Sequence, residues 1–287
     1  MSRFPLSWMG NKRQECQHIV PEIPDTTRTF IEPFAGSAAV SLELWVRPGG
    51  QGLKYVLGDR DPHLCAFLTE LRAVGLTPFR EFTRARQNAD AWLAIKAIPR
   101  ADLTPYQWYY LKACAGDRYQ NRRPPTKWRS LEPTARQVEG VKLFVEGDVA
   151  VHCGDWKDTV APYVDDPTAT VYLDPPYFSS FNQEYHAMDR DGAVGGLATD
   201  NTALYVEIVD FLDRAKCTVI LTTNGVAILE RLYSRYITKC YAHLYAFSKK
   251  QPDGTYKKSM ARHIQCVKRA AIQLAEDLAD TLAETKI

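Results

Sequence analysis

The sequence predicts an α/β fold, a mostly parallel sheet covered by helices on both faces. Short strand-like apolar runs alternate with helical patterns along most of the chain, and that alternation is the pattern of a parallel sheet. Three of the runs end in unusual sequences, EPFAGS (32–37), GDRD (58–61) and DPPY (174–177). Right-handed crossovers bring the C-terminal ends of parallel strands to one edge, where ligands of such sheets bind. The three endings are therefore expected to cluster at that edge.

The elements are read in order. Thr29–Phe34 (TFIEPF) is a short buried strand, followed by a small-residue turn at Ala35–Ala38 and a helix over Ala39–Val46. Tyr55–Leu57 is a second strand that runs into Gly58-Asp59, and helices follow over Pro62–Val74 and Pro78–Ile98. From about Leu76 to Gly147 strand signals are sparse, and aromatic and basic residues crowd together (Trp108, Tyr109, Tyr110, Arg118, Tyr119, Arg122). This stretch reads as a mainly helical insert, so the main domain comprises residues 1–75 and 148–270. Strands resume at Val149–His152 and Thr170–Leu173. A helix over Thr202–Lys216, an apolar strand over Thr218–Thr222 and an antiparallel pair, Tyr241–Phe247 with Ala261–Lys268, complete the sheet. Ala270–Lys286 has helical periodicity, so 271–287 is a C-terminal helix or tail.

Composition is that of a water-soluble globular protein, with 45% hydrophobic and 24% charged residues. A formal net charge of +2 neither requires nor excludes a polyanionic partner, so the distribution of charge decides that question. The seven cysteines stand singly, without zinc spacing or a disulfide framework, which points to reduced thiols in a cytoplasm and to no structural metal. No apolar run approaches the ~20 residues that span a bilayer, and none resembles a signal peptide.

Four segments carry chemistry. In Asp174-Pro175-Pro176-Tyr177 two prolines remove two backbone donors and hold φ near −65°, so the chain leaves its strand rigid and extended. A fixed carboxylate, a proline carbonyl and an aromatic plane together suit an amino group on a planar ring. Taken alone, the tetrapeptide is more often a proline-rich turn. Glu32-Pro33-Phe34-Ala35-Gly36-Ser37-Ala38 joins strand to helix through small residues that let a ligand approach the backbone, yet the dinucleotide fingerprint G-x-G-x-x-G is absent. Asp59, at the end of the next strand, is placed to accept from ribose hydroxyls, though a plain turn aspartate has even odds. Trp8-Met9-Gly10-Asn11-Lys12 offers an aromatic and a cation that can pair with a carboxylate.

In the order Trp8-x-Gly10-x-Lys12, Glu32-Pro33-Phe34-x-Gly36, Asp59 and Asp174-Pro-Pro-Tyr177, the sequence resembles the Dam-type DNA adenine-N6 methyltransferases. The similarity is patchy but spans Leu6 to about Lys268. It implies a Rossmann-like sheet that binds S-adenosylmethionine, with residues 76–147 as the target-recognition insert. It further implies that Trp8 and Lys12 line the cofactor pocket, that Glu32–Ala38 holds the methionine and sulfonium region and that Asp59 binds the ribose. Asp174 then sits between cofactor and target amine. Asp155 and Trp156, in Cys153-Gly-Asp-Trp156, match the segment that packs on the cofactor adenine, and Ser180–Tyr185 matches the loop that closes over substrate. The family usually has a second glycine where Ala38 stands, and the insert has no clear match to the family's recognition stretch.

The resemblance implies double-stranded DNA as partner. The basic stretch Arg118–Arg129, with Arg118, Arg122, Arg123, Lys127 and Arg129 and no acid, is suited to phosphates and guanine edges. A solvated basic loop is the less favoured alternative, given the methyltransferase resemblance. A second cluster, Lys249–Lys258, reads as a hairpin tip or an ordinary turn. The alternatives are a methyltransferase acting on RNA or another amine, and a catalytically inactive DNA-binding relative. The expected protein is a monomer or weak dimer in the cytoplasm, associated with the nucleoid and not with membrane.

Overall fold

The computed structural model describes residues 3–6, 12–115, 124–125, 128, 132–178, 201–250 and 256–271. The fold is mixed α/β with seven strands, and the chain divides into two units, Met1–Tyr163 and Val164–Ile287.

In the first unit β1 (Thr29–Glu32), β2 (Lys54–Asp59) and β3 (Asp148–Cys153) are parallel, in the order β3-β2-β1. Glu32 lies opposite Leu57, and Asp59 opposite Cys153, so the three strands finish nearly level. β1 is buried along its whole length, and Tyr55 to Gly58 of β2 are buried as well. A strand covered on both faces has to be apolar throughout, which explains why neither shows a polar alternation.

The helices around these strands are bounded by local signals. Asp61 accepts from the His63 amide (3.0 Å), with Pro62 at the first position of α3 (Pro62–Val74), and Gly75 takes φ +71° where α3 ends. The helix expected over Pro78–Ile98 is two helices, α4 (Thr77–Arg84) and α5 (Ala89–Lys96). The break falls where the Asn88 side chain accepts from the Ala91 amide (2.8 Å), starting a new helix in the middle of the apolar periodicity. Two more helices occupy the strand-poor stretch. α6 (Pro105–Ala115) follows, and α7 (Ala135–Glu146) opens with a capping box between Thr134 and Gln137.

An aromatic cluster joins these helices to α3. Phe67 stacks on Tyr109 (5.5 Å between centroids), meets Phe79 edge-on (5.1 Å) and touches Trp108 (5.5 Å). Trp108, Tyr109 and Tyr110, which sequence groups with the nearby arginines, are buried core residues. Short helices α1 (Cys16–Ile19), α2 (Ala39–Trp45) and α8 (Trp156–Val160) complete the unit.

The second unit carries β4 (Ala169–Leu173), β5 (Thr218–Asn224), β6 (Ile237–Lys250) and β7 (Tyr256–Lys268), in the order β4-β5-β7-β6. β4 and β5 are parallel, whereas β7 pairs antiparallel with both β5 and β6. Helix α9 (Thr202–Arg214) buries Tyr205, Ile208, Phe211 and Leu212, and α10 (Ala227–Leu232) follows β5. The closing pair is longer than its apolar pattern suggests, because it continues into the lysine-rich ends of both strands. Residues 272–287, expected as a helix, lie outside the described residues. No described helix is long and apolar enough to cross a membrane.

Gly58 shows how tightly the strand ends of the first unit are packed. A Cβ on Gly58 would lie 2.5 Å from the Thr159 hydroxyl oxygen of α8 and 3.1 Å from the Cα of Pro33. Thr159 is itself buried and cannot swing away. Gly58→Ala is expected to cost about 1–3 kcal/mol, as overpacked sites do. Chemical denaturation checks this, and an unchanged midpoint would show that α8 can retreat.

Candidate active site

Three loops leave the C-terminal ends of β1, β2 and β3 and are knitted together by backbone bonds. The Ala35 amide donates to the Gly58 carbonyl (2.7 Å), and the Gly154 amide donates to the Asp59 carbonyl (3.0 Å). The Asp59 side chain takes two further amides, Gly36 on Oδ2 (3.0 Å) and Asp61 on Oδ1 (2.9 Å). Burial pushes its carboxyl above the usual aspartate range, while the amides of Asp61, Gly36 and Arg60 work against that rise by stabilising the anion. Phe34 and Trp156 stack with centroids 6.0 Å apart. Within this unit the Glu32–Ala38 loop, Asp59 and Asp155-Trp156 are thus brought to one rim.

Glu32 is a buried helix cap, not an exposed acid. It is 3% exposed, and its Oε2 accepts from the Ser41 amide (2.9 Å) and from the Ser41 hydroxyl. Ser41 lies in the first turn of α2, whose own N-cap residue, Ala38, has no side-chain acceptor. A carboxylate from the preceding strand therefore neutralises the positive end of α2. Ala38 holds φ +47°, a left-handed conformation rare for a residue with a Cβ. Ala38, where the sequence resemblance leads one to expect glycine, thus keeps a backbone shape that glycine takes at no cost.

These bonds decide what the loop can hold. Phosphate-binding turns offer free amides at a helix N-terminus. Here the Ser41 and Gly36 amides are already given to Glu32 and Asp59. A pyrophosphate at these two positions would face two carboxylates. Lys12, 5% exposed in the 3₁₀ turn Lys12–Gln14, supplies a buried cation in the same unit. Asp155 is exposed and its Oδ1 caps α8 through the Lys157 amide (2.9 Å). Trp156 is buried.

In the second unit Asp174-Pro175-Pro176-Tyr177 follows β4 directly and is held by a polar clamp. The Pro176 carbonyl accepts from Asn201 Nδ2 (3.1 Å) and from the Tyr205 hydroxyl (3.0 Å), and Asn201 Nδ2 also reaches the Tyr177 carbonyl (3.1 Å). Asn224, at the end of β5, bonds both ways to Phe178. Its Oδ1 accepts from the Phe178 amide (3.0 Å), and its Nδ2 donates to the Phe178 carbonyl (2.8 Å). The Tyr205 and Thr223 hydroxyls, 2.8 Å apart, brace these groups from below. Among the described residues none donates to the Pro175 carbonyl. Asp174 and Tyr177 are half-buried, and the Tyr177 ring stands edge-on to buried His263 (5.2 Å).

Sequence reasoning did not identify Asn201, Tyr205, Thr223, Asn224 or His263. Their one legible signal was the polar TTN (222–224) closing an apolar strand, since polar groups at a strand's C-terminal end commonly serve a site. Trp8, Arg118, Arg122, Arg123, Lys127, Arg129 and the loop Ser180–Tyr185 lie outside the described residues.

Residues 8–90 match the family described as D12 class N6 adenine-specific DNA methyltransferase. The chain is 23% identical over 252 residues to the Type II methyltransferase M.CviBI of Paramecium bursaria Chlorella virus NC1A, covering 84% of this chain and 90% of the relative. Among solved structures it is similar to the precorrin-6y C5,15-methyltransferase of Geobacter metallireducens GS-15. That match has a TM-score of 0.40 and 11% identity, and covers 89% of this chain and 88% of the other. A second similar structure is a putative RNA methyltransferase, PH1948, of Pyrococcus horikoshii (TM-score 0.38, 10% identity, covering 94% and 90%).

Asn224→Ala removes both bonds to Phe178, and the Phe178 amide is expected to exchange at least about tenfold faster, equivalent to ~1.4 kcal/mol of local stability. Hydrogen exchange resolved at Phe178 tests this, and unchanged protection would mean that the clamp lies elsewhere. At Ala38 two substitutions should diverge. Ala38→Gly relieves the left-handed strain and loses a buried methyl, leaving stability within about 1 kcal/mol. Ala38→Val places a β-branched residue in that conformation and should cost at least about 2 kcal/mol by thermal denaturation.

Proposed function

We propose that the protein is a Dam-type, site-specific DNA adenine-N6 methyltransferase that uses S-adenosylmethionine and acts on an adenine flipped out of duplex DNA. The observation that carries this reading is the Asp174–Tyr177 turn. Its Pro176 and Tyr177 carbonyls are tied down by Asn201 and Tyr205, while no described residue donates to the carbonyl of Pro175. The match of residues 8–90 to the D12 class supports the choice of adenine and DNA, and the likeness to the Type II methyltransferase M.CviBI supports methyl transfer.

When bound, S-adenosylmethionine supplies a methyl group activated by a positively charged sulfur. Lys12 is assigned to its carboxylate, with Trp8 beside it. The Glu32–Ala38 loop, including Pro33, Phe34 and Gly36, is assigned to the methionine end, Asp59 to the ribose, and Asp155 with Trp156 to the adenine side. Glu32 and Asp59 have their anionic oxygens turned to backbone amides and provide a negative field suited to a cation.

The exocyclic amine of adenine is a weak nucleophile because its lone pair is delocalised into the ring. Asp174 and the Pro175 carbonyl would each accept one of its N–H bonds, drawing the nitrogen toward tetrahedral geometry and freeing the lone pair. Asp174 also opposes the positive charge that develops on the nitrogen. Pro176 keeps the turn rigid, so this alignment needs no reorganisation during reaction. Tyr177 stacks on the base once it has left the helix. Residues 76–147 are assigned to target reading. Arg118, Arg122, Arg123, Lys127 and Arg129 are assigned to the DNA backbone, where each neutralised phosphate contributes affinity that falls with salt.

Asp174→Ala is expected to lower methyl incorporation into DNA by at least about a hundredfold, the scale on which lost transition-state contacts act. Its melting temperature should stay close to that of the parent, and because Asp174 is also assigned to the cofactor site, methyl transfer is compared at saturating S-adenosylmethionine. Labelled cofactor offered with DNA, RNA or protein, followed by nucleoside analysis, checks the acceptor. Near-normal turnover by the variant, or label entering RNA or protein instead of DNA, would overturn the assignment.

A further inference from the structure

The β6–β7 ribbon continues well past the sheet that supports it. β5 pairs with β7 from Lys268 back to His263, and it ends there, with Asn224 opposite His263. β6 and β7 go on pairing with each other from Tyr241 opposite His263 to Lys250 opposite Tyr256. From His263 to Tyr256 the ribbon thus runs about 23 Å, at ~3.3 Å per residue, without β5 beside it. It leaves at a defined place. His263 touches both Tyr177 (5.2 Å) and Tyr241 (5.7 Å), and the Arg262 carbonyl accepts from the Gly225 amide (2.7 Å) just after β5. The projection therefore starts beside the Asp174–Tyr177 turn and points away from the C-terminal end of β5.

Its charge is one-sided. Residues 241–262 include Lys249, Lys250, Lys257, Lys258 and Arg262 against a single acid, Asp253. Arg262, at the base, pairs with Glu230 (3.3 Å). Farther out, Lys249 lies directly opposite Lys257, with Lys258 opposite Ser248 and Lys250 opposite Tyr256. Like charges at directly opposed positions destabilise a ribbon, so this register is unfavourable unless an anion offsets it. Between Leu244 and Ser248 the register shifts, so that Tyr245, Ala246 and Phe247 face Ser259 alone. A bulge of this kind bends and twists the ribbon.

We propose that this projection is a second DNA-binding element, a basic β-ribbon that enters the major groove of the duplex whose base is held at Asp174–Tyr177. The inference rests on the functional reading above. The major groove of B-form DNA, ~12 Å wide, accepts a two-stranded ribbon. The A-form groove of duplex RNA is deep and narrow and does not, which selects DNA over RNA. Lysines on both strands of the ribbon would meet phosphates on both walls of the groove, and the bend lets the ribbon follow it.

The test replaces Lys249, Lys250, Lys257 and Lys258 with Gln in the full chain. Binding to a short DNA duplex and to an RNA duplex of the same sequence is measured across a salt series, with calorimetry of S-adenosylmethionine in parallel. The expected result is DNA affinity at least tenfold weaker and a slope of log affinity against log salt reduced by about 3–4, near 0.9 per lost phosphate contact. Cofactor affinity should not change, and the fourfold Arg variant should retain the slope. If the Gln variant fails to fold, the pairs Lys249→Gln with Lys250→Gln, and Lys257→Gln with Lys258→Gln, should each give about half the change. An unchanged slope with methyl transfer intact would overturn the ribbon proposal and leave the enzymatic reading standing. Equal losses on RNA and DNA would also overturn groove entry. A parent protein that shows the salt effect but never binds S-adenosylmethionine would sink the enzymatic reading while supporting the ribbon.

Discussion

Asp59 is where the first unit's strand ends are fastened. One oxygen of its carboxylate takes the Gly36 amide of the preceding loop, the other takes the amide of Asp61, and its carbonyl takes the amide of Gly154. A buried carboxylate is unfavourable alone, and burial does raise its proton affinity, but the converging amides offset that cost. Much around it follows from this anchor. Gly58 must lack a side chain so that α8 and Pro33 can close over β2. The loop after β1 must turn sharply enough to offer Gly36, which accounts for the left-handed backbone at Gly36 and Ala38. Together with Glu32 at the start of α2, Asp59 also fills the donors that would otherwise attract phosphate, so the chemistry of the loop is set by the bonds that shape it.

The second unit solves a different problem by similar means. Two prolines stiffen the turn after β4, yet prolines alone do not fix where it points. Asn201, Tyr205 and Asn224 do that, by bonding to main-chain atoms of Pro176, Tyr177 and Phe178. These bonds go to backbone, so they fix the course of the chain through Pro176, Tyr177 and Phe178. The hydroxyls of Thr223 and Tyr205 form a polar layer between the clamp and the apolar strand beneath it. Tyr205 is itself tied down, its carbonyl accepting from the Tyr233 hydroxyl (2.7 Å).

Most strands were readable because buried parallel strands are short apolar runs, and TFIE, TVYL and TVILT stand out as such. The ends of these strands were legible because glycine, proline and aspartate interrupt the apolar runs there. What could not be read was partnership across long separations. Nothing local marks Glu32 as the partner of Ser41, or Asn224 as the partner of Phe178 across 46 residues of chain. The break at Asn88 was hidden because the apolar spacing continues through it, while capping is a property of one side chain's bond to one amide. The length of the β6–β7 ribbon escaped notice for a related reason. Lysine-rich ends do not resemble strand, and register with a neighbour, not local preference, extends the pairing.

That ribbon also bears on solubility. β6 is the outermost strand of its unit, and an unaccompanied edge presents a row of amides and carbonyls to which a strand of another molecule could add. Lysine on an edge and a bulge that bends it away are two ways natural sheets discourage such addition, and both are present here at Lys249-Lys250 and Tyr245–Phe247. Removing the positive charge would therefore act twice, weakening the hold on a polyanion and opening a template for strand-by-strand aggregation.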